Sequence, residues 1–179
     1  MKHVPNILTF IRLLLIPVYF MVFYSESEHA LLLALAIFVV ASITDVLDGF
    51  LARKYQVVSK FGTVADPFAD KMMQVSVLYS LSDISMLEKW FFWIILVKEL
   101  CQILLGIIMV SMKPKMIMSA NIFGKTTTVL VFVTIIFAVL SLPGATIIQF
   151  ITAVLAIITF TQYAYHFLMG LKERKLANK

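Results

Sequence analysis

Six apolar runs, separated by short polar connectors, leave this chain little choice of solvent. They cover about residues 7–24, 30–52, 66–81, 90–112, 121–142 and 145–168. A helix rises about 1.5 Å per residue, so about twenty apolar residues cross the hydrocarbon core of a bilayer. The third run is short for a crossing and gains length if its helix continues through Ser82 and Asp83. Apolar residues make up 61% of the 179, against a globular norm of about half, and the mean hydropathy is +0.98. The expected fold is an all-α integral membrane protein of about six transmembrane helices, forming one domain over residues 1–179. The first run resembles a secretory leader but has no small-residue cleavage site before Ser25, and Asn6, Thr9 and Arg12 mark it as a membrane helix instead. Arg12 either snorkels to the membrane surface or faces a polar cavity, and the cavity is the favoured reading.

Charge sets the orientation. Six crossings put both ends of the chain on one side. On that side fall Lys2, Arg53, Lys54, Lys60, Lys113, Lys115, Lys172, Arg174, Lys175 and Lys179. The opposite loops carry Glu26, Glu28, Asp83 and Glu88, with Lys89 the lone cation. Lysine and arginine collect in cytoplasmic loops, so both termini are expected in the cytoplasm and the protein in the cytoplasmic membrane, as a multi-pass chain. The net charge of +5 then belongs to loops facing anionic lipid, not to a nucleic-acid surface. A single cysteine, Cys101, excludes an internal disulfide.

Four carboxylates interrupt this hydrocarbon pattern. Asp45 and Asp48 close the second run, and Asp66 and Asp70 open the third. Spacings of three and four put each pair on one helix face. Four like charges converging at one place would take up protons unless a cation neutralises them. Oxygen-only donors select magnesium, manganese or calcium. Gly49 and Ala52, one turn and two turns after Asp45, leave a groove beside the carboxylates, and Gly62 leaves room one turn before Asp66. Arg53 supplies a fork suited to phosphate. Carboxylates, a bound divalent ion, a phosphate ligand and a groove at a membrane surface point to phosphoryl chemistry on a lipid. The competing reading makes Asp66 an N-cap with Pro67 at the first helical position, and Asp45 and Asp48 a helix end near water.

The stretch Asp45-x-x-Asp48-Gly49-x-x-Ala52-Arg53, eight residues, Gly62-x-x-x-Asp66-x-x-x-Asp70 resembles the signature of the CDP-alcohol phosphotransferases. All eight fixed positions are present, an accident of order 10⁻⁹ per start at about one chance in fifteen per position. The leading Asn6-x-x-Thr9-x-x-Arg12 and the later Gly124-Lys125 extend the resemblance along the chain. The resemblance implies transfer of a phosphatidyl group from CDP-diacylglycerol to an alcohol, with release of CMP. It implies that Asp45, Asp48 and Asp66 bind Mg²⁺ or Mn²⁺, two ions per site. Asp70 would touch the second ion and take the acceptor's proton. Gly49, Ala52 and Gly62 would line the cytidine site and Arg53 would meet phosphate. Asn6, Thr9 and Arg12 would border the nucleotide and its phosphates. A homodimer is the expected assembly.

Within the family the chain resembles bacterial phosphatidylglycerophosphate synthases, whose acceptor is glycerol-3-phosphate. That dianion needs cations beyond the metal, and Lys98, Lys125, Arg12, Lys60 and Lys71 are the candidates. Glu99, adjacent to Lys98, is expected to point elsewhere on the helix and to be a poor partner. The chain has Lys98-Glu99 where those synthases usually have Arg-Glu, and Thr126-Thr127-Thr128 where they tend to have a second lysine. An alternative acceptor is therefore phosphatidylglycerol, which would make the chain a CDP-lipid cardiolipin synthase. Gly124-Lys125-Thr126 imitates the end of a phosphate loop, but position 119 is serine and the stretch opens a membrane helix, which excludes a nucleotide triphosphatase. A cation carrier would place its acids at mid-membrane and often carry paired repeats, a pattern this chain lacks.

Overall fold

The computed structural model describes residues 4–54, 62–111 and 122–177, with side chains placed for 10–44, 68–109 and 122–172. Among them are six α-helices: α1 Val4–Phe23, α2 Ala30–Lys54, α3 Gly62–Asp83, α4 Lys89–Ser111, α5 Ile122–Val139 and α6 Ala145–Ala177. Each falls on one of the six apolar runs. Three of them, over 89–109, 122–139 and 145–172, are long and apolar enough to cross a membrane. The apolar parts of α1 and α2, Phe10–Phe23 and Ala30–Thr44, are shorter.

The helix ends differ from the apolar runs for identifiable reasons. α3 begins at Gly62, so Asp66 and Pro67 lie inside the helix and the N-cap reading of that pair fails. The same helix continues to Asp83, which supplies the length that the apolar run lacked. Its end is a Schellman cap: Met86 N–H donates to the Leu81 carbonyl at 2.9 Å and Ser85 N–H to the Ser82 carbonyl at 3.2 Å. Ser85 takes the left-handed conformation at φ 61°. α5 ends the same way, with Leu142 N–H on Phe137 O at 2.9 Å, Ser141 N–H on Ala138 O at 3.1 Å, and Ser141 at φ 49°. α5 therefore stops before Pro143 and Gly144, which form the turn into α6. α6 runs on past Leu168, because lysine, glutamate, arginine, leucine and alanine in its last turns all favour helix.

The chain divides into two compact units, residues 1–87 and 88–179. In the first, α1 packs on both α2 and α3, and α2 packs on α3. Small residues on α2 (Ala34, Ala41) and larger ones on α1 and α3 (Tyr19, Met73, Leu78, Leu81) fill its buried interior. One end is tied by Tyr24, whose Oη donates to Asp83 Oδ2 at 2.8 Å. Nearby, Phe20 and Tyr79 meet edge to face at 6.5 Å.

In the second unit, α6 packs on α4 and α5. Two threonine pairs cross the α5–α6 contact: Thr127 Oγ1 to Thr159 Oγ1 at 2.9 Å and Thr134 Oγ1 to Thr152 Oγ1 at 3.0 Å. All four are fully buried. Each also lies within hydrogen-bond distance of the carbonyl four residues back on its own helix. Each pair therefore has three oxygen–oxygen contacts and two protons, so one proton serves the cross-helix bond and the other a carbonyl. A cross-helix bond of this kind contributes about 0.6 kcal/mol in a membrane. Gln149 of α6 accepts from Glu88 N–H at 3.1 Å through Oε1, which satisfies a backbone donor at the start of α4.

Candidate functional site

The site is built from helix ends. The short connector 24–29 joins the end of α1 to the start of α2, and the Tyr24–Asp83 bond places the end of α3 beside them. The start of α1, the end of α2 and the start of α3 therefore share the opposite end of the unit. On those three segments lie every residue of the signature. Asn6 and Thr9 are in the first turns of α1; Asp45, Asp48, Gly49, Ala52 and Arg53 are in the last turns of α2; Gly62, Asp66 and Asp70 are in the first turns of α3. The fold thus brings the two carboxylate pairs to one end of one bundle, on adjacent helices.

Arg12 lies about 12 Å along α1 from Val4, and Asp70 about 12 Å along α3 from Gly62. Asp45 lies about 13.5 Å along α2 from Lys54. Arg12 is 2% exposed, which removes the snorkelling alternative and leaves an interior role. Asp70 is half-buried. Lys71, next to it, donates to Gln74 Oε1 at 3.4 Å.

The side chains of Asn6, Thr9, Asp45, Asp48, Gly49, Ala52, Arg53, Gly62 and Asp66 lie outside those placed, and Lys60 lies outside the described residues. Among the described residues no three His, Cys, Asp or Glu side chains converge; of the four aspartates only Asp70 is in that set. The donor set nevertheless suits a hard divalent cation: four aspartates from two contacting helices offer oxygen ligands alone.

The second unit carries Lys98 and Lys125. Lys98 is in the middle of α4, 4% exposed, and its Nζ lies 2.8 Å from Glu99 Oε1, itself buried. The expectation that Glu99 would be a poor partner is corrected here. Adjacent Cα atoms turn the side chains by about 100°, but two long side chains curl across that angle, and burial makes pairing compulsory. Lys98 lines an otherwise apolar cavity of about 330 Å³ with Trp93, Ile94, Val97, Ile157 and Phe160. Lys125 is in the first turn of α5 and exposed. The threonines after it are helical, with Thr126 and Thr128 donating to the carbonyls of Ile122 and Gly124, as expected of a helix and not of a phosphate loop.

Reading the sequence missed the buried threonines, although Thr127 and Thr134 on one helix and Thr152 and Thr159 on the next share a spacing of seven. That spacing, two turns on each of two consecutive apolar helices, is the signal that could have found them.

The family model for CDP-alcohol phosphatidyltransferase matches residues 2–162. A CDP-diacylglycerol–glycerol-3-phosphate 3-phosphatidyltransferase of Rickettsia typhi is 48% identical over 73 residues, covering 41% of this chain and 41% of that protein. The protein of the same name from Haemophilus influenzae is 42% identical over 76 residues, covering 42% and 41%. The matched stretch thus spans about two fifths of the length of these relatives. A probable phosphatidylglycerophosphate synthase of Mycobacterium tuberculosis is 35% identical over 169 residues, covering 90% of this chain and 79% of that protein.

Proposed function

We propose a reaction from one premise: the chain belongs to the CDP-alcohol phosphatidyltransferase family. The reaction is transfer of the phosphatidyl group of CDP-diacylglycerol to glycerol-3-phosphate, giving phosphatidylglycerophosphate and CMP. One observation carries it. The eight signature positions fall on the end of α2 and the start of α3, at the same end of a three-helix bundle. Two relatives bear the name of this activity, and a third is named as a phosphatidylglycerophosphate synthase.

Each residue then has a task. Asp45, Asp48, Asp66 and Asp70 would hold Mg²⁺ or Mn²⁺. Bound there, divalent ions would neutralise the diphosphate and make CMP the better leaving group. Gly49, Ala52 and Gly62 leave the space for the cytidine, and Arg53 meets its phosphate, with Asn6 and Thr9 on the neighbouring helix. Asp70 takes the proton from the acceptor hydroxyl as that oxygen bonds to the lipid-linked phosphorus and the bond to CMP breaks. Arg12 and Lys125 serve the anionic substrates. Lys98 is the weaker candidate for the acceptor phosphate, because Glu99 already offsets its charge.

The six helices, with lysine and arginine collected on the terminal side, support six crossings with both termini in the cytoplasm. The four aspartates then face the compartment that holds a soluble acceptor. The protein acts in the cytoplasmic membrane, as a homodimer. The Lys98–Glu99 pair favours a second reading, in which a less charged alcohol, phosphatidylglycerol, is the acceptor. The test is to supply purified protein in mixed micelles with CDP-diacylglycerol, Mg²⁺ and one alcohol at a time: glycerol-3-phosphate, phosphatidylglycerol, serine or inositol-1-phosphate. The expected lipid product is phosphatidylglycerophosphate alone. Cardiolipin as the product would replace the first reading with the second.

A further inference from the structure

Lys125 and the contact that holds it lie on opposite sides of α5. Thr127 follows Lys125 by two residues, which turns it about 200° around the helix. Accordingly Thr127 is fully buried while Lys125 is exposed. Gly124, three residues before Thr127, shares its face. A Cβ at Gly124 would meet Tyr163 Oη at 3.5 Å and Thr159 Cγ2 at 3.8 Å. The first turn of α5 is therefore seated directly on the α6 residues Thr159 and Tyr163. Its backbone carbonyls are also occupied, since Thr126 and Thr128 donate to Ile122 and Gly124.

We infer that Thr127, Thr159 and Tyr163 are positioning residues: by fixing the roll of α5 on α6 they set where Lys125 presents its ammonium to the phosphate of the acceptor. The inference rests on the reading of Lys125 as an acceptor-phosphate ligand. A helix free to roll would spread that point charge over an arc, and a ligand that binds as a point charge gains only from being held in place. The fold supplies its own control. Thr134 and Thr152 form the same bond with the same burial, but Thr134 is nine residues from Lys125, about 13.5 Å along the axis. A purely structural role would make the two pairs equivalent.

The experiment measures steady-state kinetics with glycerol-3-phosphate on full-length protein in mixed micelles, alongside thermal unfolding. Thr127→Val is expected to raise the acceptor KM on the order of tenfold, below the roughly hundredfold that a 1 Å misplacement costs, with kcat little changed. Thr127→Ser should restore KM. Thr134→Val should lower the unfolding temperature about as much as Thr127→Val and leave KM alone. Lys125→Ala should raise KM by itself, and adding Thr127→Val to it should raise KM no further. Thr159→Val, which leaves the α5 hydroxyl in place, should repeat the KM effect if Thr127→Val does not fold. Equal KM effects from the Thr127 and Thr134 variants would overturn the inference. So would a full additional effect of Thr127→Val in the Lys125→Ala background. If Lys125→Ala raises KM and the Thr127 variant does not, only the positioning role is lost. If Lys125→Ala leaves KM unchanged, the acceptor reading of Lys125 fails and takes the positioning role with it.

Discussion

Tyr24 Oη and Asp83 Oδ2 are 2.8 Å apart, and this hydrogen bond ties the residue that follows α1 to the last residue of α3. It lies at the far end of the bundle from the four aspartates, more than a dozen residues of helix away. Tyr24 is 49% exposed, so water competes for the bond. Tyr24→Phe is expected to cost about 0.5–1 kcal/mol, read as a small drop in the unfolding midpoint in detergent, with turnover unchanged. A loss of turnover as large as that of an aspartate variant would contradict the placement of the two ends.

Ser141 and Ser85 hold a conformation that costs an L-residue roughly 1–2 kcal/mol and glycine almost nothing. Glycine gives part of this back through the entropy of the unfolded chain. Ser141→Gly and Ser85→Gly should each stabilise the protein by about 0.5–1 kcal/mol, measured as a raised unfolding temperature. Ser141→Ala, which keeps the Cβ, should leave the unfolding temperature nearly unchanged.

Lys98 and Glu99 form a buried ion pair. Glu99→Leu takes away the carboxylate 2.8 Å from the buried Lys98 ammonium and should destabilise by about 3–5 kcal/mol. Lys98→Met together with Glu99→Leu should recover most of that loss, because no charge is left to solvate. Chemical unfolding of the three proteins measures the cycle. Equal losses in the single and double variants would mean that the pair is held by something other than its own attraction.

The aspartates and Arg53 should separate by magnitude. Replacing Asp45, Asp48 or Asp66 with Asn should lower kcat on the order of a thousandfold, the upper range for losing one preorganised electrostatic group. Arg53→Ala should cost on the order of tenfold, as for one charge-assisted hydrogen bond. Initial rates of CMP release rank the four.

Much of this architecture is legible in the residues, because a bilayer solvent makes apolar length a strong signal. The start of α2 at Ala30 and of α6 at Ala145 matches the apolar runs. The end of α5 does not, since a left-handed Ser141 is invisible to hydropathy and Pro143-Gly144 is the louder signal. The signature's spacing places the carboxylates on two helices, but their arrival at one end needs the Tyr24–Asp83 tie, which joins residues far apart in the chain. The Lys98–Glu99 pair was hidden for a different reason. Helical geometry separates adjacent Cβ atoms, while burial and side-chain length decide where the charged ends go. The threonine pairs depend on the register of α5 against α6, which no single helix contains.

The most direct measurement is CMP release from CDP-diacylglycerol by the purified protein, with acceptor and divalent cation each supplied or withheld. CMP should appear only when glycerol-3-phosphate and Mg²⁺ or Mn²⁺ are both present, stop on chelation, and fall sharply in Asp70→Asn. CMP release that continues without an acceptor, survives chelation or proceeds at the normal rate in Asp70→Asn would contradict a metal-dependent phosphatidyl transfer with Asp70 as its base.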